Sequence, residues 1–120
     1  MQTISTIATQ GGVGKTTLAV HIAAAAQADG LATLVLDLDP QNSATFWGDK
    51  RLETQKEAPP KTKLAVRFAA AVRLDRELAQ AADEGYQLVI IDTPPTDTNE
   101  AKTAARLADV VLVPVQPGGH

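Results

Sequence analysis

The residues best suited to chemistry lie in one glycine-rich segment near the start of the chain, Gln10–Thr17. Glycines let a backbone approach a phosphate chain closely, so several N–H groups of such a loop can bind it. A helix beginning at the end of the loop adds unsatisfied N–H donors and a positive dipole end. Lys15 is placed to reach the β- and γ-phosphates, and the Thr16 hydroxyl is placed to bind Mg²⁺. The predicted phosphate-binding residues are Gly11, Gly12, Val13, Gly14, Lys15, Thr16 and Thr17.

The spacing of this segment departs from the usual phosphate-loop pattern G-x-x-x-x-G-K-[ST]. That pattern requires glycine at position 9, where this chain has Thr9. Glycines at positions 11, 12 and 14 take its place. The alternative is a glycine turn followed by a chance Lys-Thr pair. A strand-like run before the segment and a helical pattern after it favour phosphate binding.

Two acidic residues follow an apolar run in the first third of the chain. Asp37 and Asp39 come after Leu34–Leu36. Acids at the carboxyl end of a parallel strand lie at the edge where α/β folds bind ligands. Asp39 is therefore a candidate to orient or activate an attacking water, and Asp37 to support a metal ion through its waters. The alternative is that these acids form a cap or turn before Pro40.

A second apolar run, Leu88–Ile91, also ends in a carboxylate, Asp92. This is the Walker B arrangement, in which the carboxylate holds Mg²⁺ directly or through water. The following residues, Thr93–Pro95, are expected to form a loop near the γ-phosphate that could sense its loss. A strand followed by an ordinary turn is the alternative.

The pattern of apolar and polar residues along the chain predicts the strands and helices that would position these residues. Near-continuous apolar runs are typical of strands buried on both faces of a parallel sheet. The predicted strands are Thr3–Ala8, Thr33–Asp37, Gln87–Asp92 and Val110–Val115. The predicted helices are Lys15–Ala28, Arg67–Ala82 and Glu100–Ala108. Gly30 and Gly85 follow the first two helices, where a terminating glycine is expected. The pattern predicts an α/β fold with a doubly wound, mainly parallel sheet and helices on both faces.

The middle of the chain is less regular. Ser43–Leu52 is compatible with a helix and Lys63–Val66 with a short additional strand. Eight of the 11 basic residues lie in this region, namely Lys50, Arg51, Lys56, Lys61, Lys63, Arg67, Arg73 and Arg76. They would form either a basic surface facing nucleic acid or an acidic partner, or a solvated loop and helix face.

Length and composition limit the class of protein. A chain of 120 residues with 44% hydrophobic residues fits one folded domain, 1–120. The absence of cysteine excludes disulfide scaffolds, thiolate metal sites, iron–sulfur clusters and cysteine nucleophiles. No apolar run is long enough to span a bilayer, and no secretory signal leads the chain. We expect a cytoplasmic protein without a membrane partner.

Taken together, the three motifs resemble those of ParA/MinD-type ATPases. Gln10–Thr17 resembles their deviant Walker A motif, Asp37–Gln41 their switch I, and Leu88–Pro95 their Walker B and switch II. Asp39–Trp47 is most similar to the small ParA partition proteins. The resemblance implies a P-loop NTPase fold and a switch that hydrolyses ATP with Mg²⁺, with Lys15 and Asp39 as catalytic residues and Thr16 and Asp92 as metal ligands. It also implies an ATP-dependent homodimer stimulated by a centromere-binding, ParB-like partner in plasmid or chromosome segregation.

The chain departs from the family pattern in two respects. The family places a signature lysine just before the Gly-Gly pair, and this chain has Gln10 there. Family members are also longer, so we expect an N-terminal portion, with the surface for nonspecific DNA binding in the remainder. Two further functions stay open: a nucleotide-binding module whose hydrolysis is impaired by Gln10, and a metabolic P-loop enzyme that transfers a phosphoryl group.

Overall fold

The computed structural model describes residues 1–7, 13–38, 63–94 and 98–113, with the backbone alone at 13–17. The strands are β1 (Gln2–Thr6), β2 (Thr33–Asp37), β3 (Leu64–Phe68), β4 (Leu88–Asp92) and β5 (Val110–Leu112). The helices are α1 (Val13–Ala28), α2 (Leu74–Asp83) and α3 (Asn99–Leu107), with a short 3-10 turn, Ala71–Arg73, before α2. None of the described helices is long and apolar enough to cross a membrane.

The five strands form one sheet in the order β3-β2-β4-β1-β5. Every neighbouring pair is parallel. Parallel neighbours require the chain to return to the same edge of the sheet between strands, and the described helices make that return after β1, β3 and β4. The predicted parallel sheet is confirmed.

Helices cover both faces of this sheet. On one face α1 packs through its alanines against β2 and β4, and the buried residues there are Ala19, Val20, Ala23, Ala26, Val35, Leu88 and Ile90. On the other face α2 and α3 lie over a second cluster, which includes Leu34, Leu36, Leu74, Ala81, Val89, Ile91 and Ala104. Because successive strand residues point to opposite faces, β2 and β4 must be apolar throughout to supply both clusters.

The ends of the helices follow local rules. Gly30 and Gly85, after α1 and α2, have φ angles of 90° and 88°, a left-handed conformation that glycine adopts without steric cost. The Thr98 side chain caps α3 by accepting a 3.2 Å hydrogen bond from the amide of Ala101. Both terminating glycines are as the sequence predicts.

The prediction of a helix from Arg67 to Ala82 is wrong over its first four residues, and the next three, Ala71–Arg73, form the 3-10 turn. Arg67 and Phe68 belong to β3, which pairs with β2 through Leu36↔Arg67 and Asp37↔Phe68. Ala70 is also extended, and α2 begins only at Leu74. Alanine has a high helix propensity, but pairing with the neighbouring strand overrides it here.

Other predicted ends differ by smaller amounts. The strand expected at Lys63–Val66 extends to Phe68, and the strand expected to reach Val115 ends at Leu112. Helix α1 begins two residues before Lys15. The helix expected over Ser43–Leu52 lies outside the described residues.

Two basic residues of the middle region are engaged within the fold. The Arg67 guanidinium donates hydrogen bonds of 3.1 and 2.7 Å to the carboxylate oxygens of Glu84. These bonds hold the pKa of Glu84 below its usual value and raise the pKa of Arg67. The Lys63 ammonium donates a 2.6 Å bond to the Glu84 carbonyl and lies 4.0 Å from the centroid of the Tyr86 ring. The contacts join the end of α2 to the edge strand β3.

Candidate functional site

Two carboxylates lie side by side where β2 and β4 end. Asp37 and Asp92 are the last residues of these strands and are paired in register, and Thr6 at the end of β1 pairs with Asp92 on its other side. All three residues are fully buried. A row of polar side chains therefore crosses three adjacent strands at the edge where the strands end, which we call the carboxyl edge.

This polar row faces the same side of the sheet as α1. Val35 and Ile90 pack in the α1 cluster, and Ile4 packs against it. Asp37 and Asp92 each lie two residues beyond one of these positions, so the alternation of the strands places both on the α1 face.

Helix α1 begins at the carboxyl edge as well. It connects the end of β1 to the start of β2, and because these strands run parallel, its first turn must lie at the edge where β1 ends. The first turns contain Val13–Thr17. The first amides of a helix have no partner within it and form a positive dipole end. The structure thus brings a helix start, which favours negatively charged groups, to the same edge as a pair of carboxylates.

The predicted site residues fall into two groups. Asp37, Asp92 and the backbone of Val13–Thr17 lie within the described residues and meet at the carboxyl edge. Gly11, Gly12 and Asp39 lie outside the described residues, so their predicted roles stay predictions.

The residues at this edge fit a divalent cation of the magnesium type. Carboxylate oxygens are the ligands that Mg²⁺ prefers, and it is usually held by one or two carboxylates together with substrate phosphates and water. Asp37 and Asp92 supply two buried carboxylates in adjacent register positions. Within the described part of the chain, no group of three or more His, Cys, Asp or Glu residues is arranged to hold a metal. The two carboxylates, Asp37 and Asp92, suit a cation that is also held by phosphate groups and water.

The sequence analysis missed a hydrogen-bonded pair beside Asp92. Thr93, fully buried, donates a 2.8 Å hydrogen bond from its hydroxyl to the carbonyl of Thr6, and the Thr6 hydroxyl donates a 3.3 Å bond to the carbonyl of Ile91. No local sequence pattern signals this pair, because its two threonines lie 87 positions apart. The predicted role of Thr93–Pro95 as a loop near the γ-phosphate stays a prediction.

Comparison with protein families identifies this arrangement. Residues 4–111 match the model of the CobQ/CobB/MinD/ParA nucleotide binding domain. The chain belongs to this family. The match includes the glycine-rich segment, both carboxylate-bearing strands and α1, and it confirms the resemblance drawn from the motifs.

The relatives of the chain include partition and positioning proteins. It is 36% identical to maintenance of carboxysome distribution protein A of Gloeobacter kilaueensis, over 90% of this chain and 46% of that protein. It is 35% identical to the chromosome-partitioning ATPase Soj of Thermus thermophilus, over 89% of this chain and 51% of that protein. The chain thus spans about half the length of these relatives.

Solved structures share the fold. The structure of pNOB8 ParA bound to nonspecific DNA superposes with a TM-score of 0.68 at 24% identity, covering 94% of this chain and 53% of that one. A protein assigned to plasmid partition in Borrelia burgdorferi B31, bound to AMPPNP, superposes with a TM-score of 0.67 at 19% identity, covering 94% and 62%. The doubly wound P-loop fold predicted from the sequence is confirmed.

The paired carboxylates lead to a first prediction. We expect Asp92→Asn to weaken Mg²⁺-supported nucleotide binding about tenfold to a hundredfold, since a charge-assisted contact contributes about 1.5–3 kcal/mol. The stability of the variant without ligand is the second quantity to compare with the wild type, because a variant that has lost stability could lose binding for that reason alone. Calorimetric titration and thermal unfolding measure the two effects.

A matched control is Asp109→Asn. Asp109 accepts a 2.8 Å hydrogen bond from the amide of Thr3 before β5 begins, at the opposite edge of the sheet. We expect this control to leave the Mg²⁺ effect on nucleotide affinity unchanged. Equal losses in both variants would contradict a cation site at Asp92.

Proposed function

We propose that this chain is the nucleotide-binding part of a ParA-like partition ATPase that binds and hydrolyses Mg·ATP. The observation that carries the proposal is the meeting of the α1 start with Asp37 and Asp92 at one edge, in a chain that matches a nucleotide-binding family over residues 4–111. A helix start suits phosphate groups, and paired carboxylates suit the cation that accompanies them.

Each residue of the site has a proposed role. Lys15 and the loop amides would bind the phosphates, Thr16 and Asp92 would hold Mg²⁺, and Asp37 would support the cation through its waters. Bound Mg²⁺ supplies positive charge that neutralises the phosphates. Asp39 positions the attacking water. Positioning and electrostatic stabilisation then provide most of the rate, as is usual in phosphoryl transfer.

The biological role is proposed from the relatives. Soj of Thermus thermophilus is named a chromosome-partitioning ATPase, and pNOB8 ParA was solved on nonspecific DNA. By analogy we propose a cytoplasmic switch that dimerises around ATP and is stimulated by a ParB-like partner in plasmid or chromosome segregation. A net charge of −3 gives this chain no basic excess for DNA. We therefore assign any DNA contact to the rest of the full-length protein.

The proposed roles of Lys15 and Asp39 predict that one substitution removes ATP binding and the other removes turnover. Lys15→Ala should abolish measurable Mg·ATP binding, because it removes the lysine directed at the phosphates. Asp39→Ala should leave affinity within about threefold and suppress turnover at least tenfold, since water positioning matters mainly in the transition state. Calorimetry and phosphate release, measured on the full-length protein, separate the two effects.

Arg106→Ala is the matched control for Lys15→Ala. Arg106 is exposed in the last turn of α3, which leads to β5 at the opposite edge of the sheet, and its removal takes away the same charge. Unchanged ATP affinity in Lys15→Ala would contradict the phosphate loop. Equal loss of binding and turnover in Asp39→Ala would assign Asp39 a structural role.

The glutamine at position 10 leads to a prediction about the affinity of ATP-dependent dimerisation. In the family pattern a lysine at this position contacts phosphates in the opposite subunit, and such a charge-assisted contact contributes about 1.5–3 kcal/mol. We expect Gln10→Lys to strengthen ATP-dependent dimerisation about tenfold to a hundredfold, with little change in the affinity of the monomer for ATP.

Sedimentation of the full-length protein with and without Mg·ATP measures this difference. The protein with Gln10 is the reference, and Gln10→Ala shows whether the amide itself contributes. Equally strong dimerisation of the wild type and Gln10→Lys would mean that Gln10 substitutes adequately for lysine.

A further inference from the structure

At the carboxyl edge, Thr93 donates two hydrogen bonds to one backbone oxygen, the Thr6 carbonyl. The Thr93 hydroxyl donates to the Thr6 carbonyl at 2.8 Å, and the Thr93 amide donates to the same oxygen at 3.3 Å. The amide bond is what continued pairing of β4 with β1 would provide. The hydroxyl therefore adds a second donor to a carbonyl that strand pairing already satisfies.

The segment that receives these bonds is the last described stretch before the glycine-rich loop. Thr6 is the final residue of β1, and its own hydroxyl donates to the Ile91 carbonyl at 3.3 Å. On the other side of β1, the amide of Ile7 donates to the Leu112 carbonyl at 2.9 Å. The backbone is thus held from both neighbouring strands at the point where it leaves the sheet toward residues 8–12.

The residue that supplies the added bond is the neighbour of Asp92. Thr93 is fully buried, and so are Asp92 and Thr6. A valine of the same shape would fill the same space, so packing does not require a hydroxyl at this position. The hydroxyl instead fixes the end of β4, which carries the carboxylate, against the end of β1, which leads into the loop.

We propose that Thr93 is a positioning residue for the cation site: its hydroxyl sets the placement of the Asp92 carboxylate relative to the end of β1 and the start of α1. This inference rests on the proposed function, since it concerns how the same site holds Mg²⁺ with a nucleotide. In this role Thr93 acts through Asp92 and the Thr6 backbone.

The test compares Thr93→Val and Thr93→Ser with a matched control, Thr33→Val, in the full-length protein. Thr33 is also fully buried in the sheet, and its hydroxyl donates a 2.8 Å bond to the Leu31 carbonyl, at the start of β2 rather than its end. ADP affinity is titrated with Mg²⁺ and with EDTA, alongside thermal unfolding and ATP turnover. Thr93→Ala replaces Thr93→Val if the valine variant does not fold.

We expect Thr93→Val to reduce the gain in ADP affinity that Mg²⁺ provides by about two- to tenfold, the range of one net hydrogen bond. Turnover should fall by at least the same factor, while the affinity in EDTA stays unchanged. Thr93→Ser should restore both quantities. Thr33→Val should leave the Mg²⁺ gain unchanged even if it lowers the melting temperature as much as Thr93→Val does.

Three results would overturn the inference. If Thr93→Val retains the full Mg²⁺ gain, the hydroxyl does not position Asp92. If Thr33→Val loses the gain equally, or if Thr93→Ser fails to restore it, the effect is general stability or methyl packing. Failure of the wild type to bind ADP under any condition would instead contradict the proposed function itself, and the inference with it.

Discussion

The parallel register of β2 and β4 forces two carboxylates, Asp37 and Asp92, into adjacent buried positions. Burying neighbouring negative charges is unfavourable unless positive charge or hydrogen-bond donors face them. The start of α1, on the same face and at the same edge, brings a positive dipole end to this region. A cation held with phosphate groups would add positive charge at the same place. The register of the two strands therefore brings carboxylates and a helix start together where the proposed ligand would bind.

Packing and hydrogen bonds between the helices and the sheet hold the strands in that register. Alanines on α1, including Ala19 and Ala23, are fully or almost fully buried and let the helix lie close to β2 and β4. On the opposite face, the bonds of Arg67 to Glu84 join the end of α2 to β3 at the sheet edge. The Ser5 hydroxyl, within β1, donates a 2.8 Å bond to the Ala104 carbonyl in the last turn of α3. Both layers of helices are therefore tied to the strands that carry the site.

The sequence predicts the parts of this structure that depend on local pattern. The apolar runs that end in Asp37 and Asp92 predict β2 and β4, because strands buried on both faces must be apolar throughout. The sequence predicts a helix at Arg67 and Phe68, where the structure has β3. Pairing with β2 is a tertiary interaction, and the neighbouring alanines give a helical pattern that contains no sign of it. The Thr6–Thr93 pair joins residues 87 positions apart, so no local pattern reveals it.

The central claim is that nucleotide binds at the carboxyl edge, between α1 and the ends of β1, β2 and β4. Amide hydrogen exchange of the full-length protein with and without Mg·ATP tests it most directly. The account predicts added protection in peptides covering residues 6–17, 37–41 and 92–95, and no change near Gly30 and Gly85 at the opposite edge. Protection confined to the opposite edge, or none under saturating Mg·ATP, would contradict the account.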